Sequence, residues 1–101
     1  MVVVVGHSNC GAVKGAVDDV HLGHVTGLVA KIKPWVDEVA HGDAHTSKNH
    51  ALVERVAEAN VHHVTRELLE KSPVLQQLVA EKKLQIVGAM YDLHTGKVSF
   101  Y

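Results

Sequence analysis

Residues Val2 to Ala12 read Val-Val-Val-Val-Gly-His-Ser-Asn-Cys-Gly-Ala, and the reading of this stretch decides the fold. Four β-branched residues in succession favour an extended chain, and an unbroken apolar run predicts a strand buried on both faces. Gly6 and Gly11 bracket a tight turn leading out of that strand. His7 and Cys10 sit in the turn. Imidazole and thiolate are the side chains that a borderline-soft ion such as zinc prefers, and a spacing of three lets both reach one ion from the mouth of a strand. A plainer reading stands beside this one: a turn that holds a polar His and a small buried Cys. Spacing alone leaves both open.

Working outward, Val13, Ala16, Val17 and Val20 recur at helical spacing, so Ala12 to Val20 is predicted as a short helix starting beside His7 and Cys10. Unpaired amides and the macrodipole at that end favour a thiolate at Cys10 and an anion nearby. The pattern lapses from His21 to Gly27, a predicted loop with Gly23 and Gly27. It then resumes as a stripe of Leu28, Ile32, Trp35, Val36 and Val39, which Pro34 should kink or restart. Trp35 reads as a core or interface residue. His41 to Asn49 is polar and reads as a surface loop; His41, His45 and His50 match no common ligand framework.

The longest predicted helix runs from Ala51 to Lys71, with Leu52, Val56, Ala59, Val64 and Leu68 on its apolar side and Glu67 with Lys71 as an i,i+4 pair. Ser72 suits an N-cap and Pro73 the first helical position, which predicts a further helix to Lys82 burying Leu75, Leu78 and Val79. The period then changes. Leu84 to Tyr91 reads as a strand, His94-Thr95-Gly96 as a turn and Val98 to Tyr101 as a second strand, together an antiparallel hairpin. Gly88 and Ala89 are small, as where another element packs closely on the sheet. The expected architecture is an α/β layer of about three strands, one N-terminal and two in a C-terminal hairpin, with several helices between.

Composition bounds the function classes. A chain of 101 residues with 47% hydrophobic residues holds one domain, spanning 1–101, with a modest core. A formal charge of −1 gives no electrostatic reason to expect nucleic acid or an anionic membrane as partner. The nine histidines are scattered, and only His7 has a neighbour that gives it a specific role. A single cysteine makes no intramolecular disulfide, so a reducing cytoplasm is the expected location. No apolar run approaches the roughly 18 residues of a spanning helix.

Two other chemistries can be set against the metal reading of the turn. Gly6-His7-Ser8 after a strand resembles the start of a serine hydrolase elbow, but Cys10 stands where the elbow requires Gly, and Asp92 and His94 are too close together to serve as separately placed partners. A phosphate cradle would need G-x-G-x-x-G or G-K-[ST], and neither is present.

Gly6-His7-Ser8-Asn9-Cys10-Gly11-Ala12-Val13 resembles the second zinc motif of the β-class carbonic anhydrases. Asn60-Val61, Ser72-Pro73 with Leu75, Gly88-Ala89-Met90-Tyr91-Asp92 and Thr95-Gly96-Lys97-Val98 are similar to that family in the same order. The resemblance implies zinc as cofactor with His7 and Cys10 as ligands, carbon dioxide and bicarbonate as substrates, and a homo-oligomer. It marks the backbone of Gly11 and Ala12 as candidate substrate-binding positions. In the family, zinc lowers the pKa of water toward neutrality so that hydroxide attacks carbon dioxide. The family's other ligands lie in an earlier C-x-D-x-R motif, which this sequence does not contain. The chain is therefore expected to correspond to the C-terminal part of such an enzyme and to be inactive in isolation. The alternative is a non-catalytic zinc-binding or oligomerising remnant of the fold.

Overall fold

The computed structural model describes residues 1–40, 42 and 45–101. Elements follow in the order β1 (Val2–His7), α1 (Gly11–Val17), α2 (Val25–Ala40), α3 (His50–Lys71), α4 (Pro73–Ala80), β2 (Ile86–Tyr91) and β3 (Val98–Phe100). The sheet order is β1-β2-β3. β1 and β2 run parallel, with Val2 opposite Ile86 and His7 opposite Tyr91, while β2 and β3 are antiparallel. The α/β layer and the C-terminal hairpin are as expected from the sequence.

The core lies mainly among helices. Val13, Ala16 and Val17 of α1 meet Val29, Ile32, Val36 and Ala40 of α2 and Leu52, Val53, Val56 and Ala57 of α3. Helix α3 also serves the sheet through Val61, which lies against two glycines. A Cβ added to Gly6 would come within 2.6 Å of Val61 Cγ2, and one added to Gly88 within 2.8 Å of Val61 Cγ1. The expectation that the small residues of β2 mark a close approach is met at Gly88.

That contact also fixes which sheet face is covered. Gly6 and Gly88 face α3, so by strand alternation Val3 and Val5 project from the opposite face. Register places Val5, Ala89 and Phe100 in one row. On that face Val3 is 37%, Val5 54% and Phe100 63% exposed. The expectation that β1 is buried on both faces is therefore corrected: β1 is an edge strand and α3 covers only one side of it.

Other differences have local causes. Helix α2 starts at Val25, so Gly27 lies inside it rather than in a loop, and it runs through Pro34 without a break. Proline removes one backbone donor, but the buried residues Val29, Ile32 and Val36 on both sides of it hold the helix together. Leu28 is exposed rather than part of the stripe. Helix α4 ends at Ala80 with no buried residue, so Leu75, Leu78 and Val79 are only half-buried: the helix lies on the periphery, packed mainly against α3. Its start is as expected, with Ser72 Oγ accepting from Leu75 N at 3.2 Å and Pro73 in the first turn. β2 starts at Ile86, β3 ends at Phe100 and α1 ends at Val17. Of the polar loop, His41 and Asp43 lie outside the described residues; His45 and His50 are exposed. No helix among the described residues is long and apolar enough to cross a membrane.

Candidate metal centre

The turn after β1 lies at the carboxyl end of two parallel strands, where α/β sheets commonly place their ligands. His7 is the last residue of β1 and Cys10 is the N-cap of α1. Between them, Asn9 takes a left-handed conformation (φ 57°), which reverses the chain within two residues. Asparagine tolerates this region better than most residues. Cys10 then adopts φ −69° and ψ 123°, and its carbonyl accepts from Lys14 N at 3.0 Å, closing the first turn of α1. Both His7 and Cys10 are half-buried, and Cys10 is a free thiol.

The His7 ring has a definite hydrogen bond. Nδ1 lies 2.9 Å from the Ser8 carbonyl oxygen. A carbonyl oxygen only accepts, so Nδ1 carries the hydrogen, and in the neutral ring the lone pair is left on Nε2. This is the arrangement commonly found for metal-binding imidazoles. Imidazole Nε2 and a cysteine thiolate fit zinc as two donors of a tetrahedral shell. Among the described residues no group of three or more His, Cys, Asp or Glu side chains is arranged to hold a metal ion, so these donors fit part of a shell.

Ser8 is no exposed nucleophile. It is 9% exposed, and its hydroxyl accepts from Leu93 N at 2.9 Å. Its backbone N–H donates to the Tyr91 carbonyl at 2.9 Å. No local pattern signals the first of these bonds, since the partners are 85 positions apart. Beside the turn opens a cavity of about 460 Å³ lined by Ser8, Asn9, His50, Glu54, Asp92 and His94. The fold thus gathers two of the scattered histidines with two carboxylates, a grouping no spacing foretold.

The sequence model of the carbonic anhydrase family matches residues 1–98. The chain belongs to the β-carbonic anhydrase family. As a β-carbonic anhydrase chain it is 28% identical over 98 residues to carbonic anhydrase 2 of Mycobacterium tuberculosis, covering 96% of this chain and 46% of that protein. A tetrameric β-carbonic anhydrase of Sordaria macrospora superposes with a TM-score of 0.83 at 25% identity, covering 97% of this chain and 50% of the other. The β-carbonic anhydrase CafA of Aspergillus fumigatus gives the same TM-score at 28% identity, over 98% of this chain and 47% of the other. This chain thus spans about half the length of the relatives it matches.

Proposed function

We propose that this chain carries one part of a β-carbonic anhydrase zinc centre, with His7 and Cys10 as its ligands, and that its family reaction is the reversible hydration of carbon dioxide to bicarbonate. The observation that carries the reading is the His7 ring, whose Nδ1 is committed to the Ser8 carbonyl so that Nε2 is the donor, three residues from the Cys10 thiol. Zinc bound there supplies Lewis acidity, which brings the pKa of water near neutrality. The chain's own contribution is to hold two donors at the mouth of β1, with the Gly11 and Ala12 backbone as the neighbouring substrate-side surface. A reducing cytoplasm, where a lone thiol stays available, suits this ligand set.

Two donors from one chain do not close a shell, so the isolated chain is expected to bind zinc weakly and to lack hydration activity. The second reading is a non-catalytic zinc-binding or oligomerising remnant. It is favoured by the bare outer face of the sheet, where Val5 and Phe100 are exposed. Zinc content per chain, measured together with carbon dioxide hydration, tests both. We expect no hydration above the buffer rate with or without added zinc, and loss of any stoichiometric zinc in Cys10→Ser. Robust hydration by this chain alone, abolished in Cys10→Ser, would mean that other residues of the chain complete the site. Zinc binding that survives Cys10→Ser would reject the ligand assignment.

A further inference from the structure

Ser8 is the one polar residue buried among the described residues, and every polar atom of it is engaged. Its N–H donates to the Tyr91 carbonyl, its hydroxyl accepts from Leu93 N, and its carbonyl accepts from His7 Nδ1, each at 2.9 Å. The anchor on the far side is itself fixed. Asp92 Oδ1 accepts from His94 N at 2.8 Å and Thr95 N at 3.3 Å, and the Asp92 carbonyl accepts from Gly96 N at 2.8 Å. Asp92 N in turn donates to the Lys97 carbonyl at 2.9 Å. The turn between β2 and β3 is thus a stiff frame, and Leu93 N is the donor it holds out to Ser8.

We propose that Ser8 is a positioning residue: its hydroxyl, gripped by Leu93 N, holds the peptide whose carbonyl fixes the His7 tautomer and aims Nε2 outward. The functional side of this proposal rests on reading His7 and Cys10 as metal ligands. Without the hydroxyl, the short segment through Asn9 keeps only the Ser8 N–H bond to the Tyr91 carbonyl at the end of β2 and loses its side-chain tie to the β2–β3 turn. The Ser8 carbonyl can then move off Nδ1, and Cys10, two residues on, moves with it. An outer partner that orients a histidine ligand commonly changes metal affinity by roughly 10- to 100-fold when removed. A serine that merely fills space would leave the imidazole tautomer untouched.

The test reads the metal-free chain first. Long-range proton–nitrogen correlation on the ¹⁵N-labelled full chain at mildly alkaline pH, with His7→Gln assigning the signal, should show His7 protonated on Nδ1. Ser8→Ala should give a mixture of tautomers with faster amide exchange at Leu93, and Ser8→Thr, which restores the hydroxyl, should return both to the parent values. Cobalt(II) titration followed by thiolate absorption should show affinity weakened roughly 10- to 100-fold in Ser8→Ala and regained in Ser8→Thr. Should Ser8→Ala not fold, Asp92→Ala, which loosens the frame behind Leu93, is expected to give the same tautomer mixture. A parent His7 protonated on Nε2 overturns the proposal, as does a Ser8→Ala chain with the parent's tautomer. A tautomer that responds to Ser8→Ala while no variant binds cobalt supports the positioning of His7 and overturns the reading of the pair as ligands.

Discussion

The indole of Trp35 lies flat on the imidazole of His63, with ring centroids 3.5 Å apart and planes 8° from parallel. His63 Nε2 meets the Glu38 carboxylate at 3.0 Å, so one histidine of α3 ties together two residues of α2. Trp35 is half-buried, between the core and interface placements that its helical spacing suggested. The stacked ring shields one face of the indole from water, so native Trp35 emission should lie to the blue of the unfolded chain's, and His63→Ala, which uncovers that face, should move it to the red. Native emission already at the fully solvated position would show that the stack does not persist in solution.

Two glycine substitutions should act in opposite directions. In Gly6→Ala the new methyl would sit 2.6 Å from Val61 and 2.8 Å from Met90 Sδ, so overpacking is expected to cost about 1–3 kcal/mol. Gly27 lies inside α2 with nothing within 4 Å of an added Cβ, so Gly27→Ala should stabilise by about 0.5–1 kcal/mol through helix propensity. Urea unfolding of both variants checks the pair, and a neutral Gly6→Ala would mean that α3 stands off the sheet in solution.

Tyr101 offers a titration with a worked sign. Partial desolvation of the half-exposed ring, then the negative charge of Glu58 and a hydrogen bond with it, push the phenol up from 10.0 to about 12. The folded chain therefore holds this proton more tightly than the unfolded chain. The resulting stability is fully present below pH 10 and is lost as the pH rises toward 12. Ultraviolet titration should show one tyrosine ionising near the upper value, and Glu58→Gln should lower it. A Tyr101→Phe chain whose absorbance curve is unchanged would contradict the assignment.

β1 presents an unpaired backbone edge with no charge among its four valines, and its outward face is apolar. Such edges recruit further strands. The chain is expected to sediment as a dimer or larger species at micromolar concentration, and Val5→Lys, placing a charge at a 54% exposed position, should shift it toward monomer. Sedimentation of the parent as a stable monomer would count against an interface on this edge. Pairing of two chains could also bring two His7 and Cys10 pairs to one zinc, and that closed set would leave no position for substrate.

How legible the fold was depended on the range of the interactions. Ser72 and Pro73 announced α4 because capping is local, and the long helix to Lys71 followed from spacing alone. The four valines were misjudged because a strand's pattern records hydrophobicity, whereas exposure depends on which neighbours the sheet has. The helix does not restart at Pro34, because packing of Ile32 and Val36 outweighs one missing hydrogen bond. His7 and Cys10 were visible as a pair from spacing and resemblance. The polar frame behind them was not, because Ser8 meets Leu93 only after the chain has closed on itself.

That closure sets an order of events during synthesis. The helical contacts among α1, α2 and α3 join segments that leave the ribosome in succession and are available early. β1 precedes these helices but waits for β2, its one strand partner among the described residues, until all four helices have been made. The frame that holds Ser8 comes later still, with Leu93 and the hairpin after it. The conformation of the His7–Cys10 turn is thus completed by a partner 85 positions further along the chain, and a nascent chain stopped before Asp92 would carry His7 and Cys10 without the bond that anchors the residue between them.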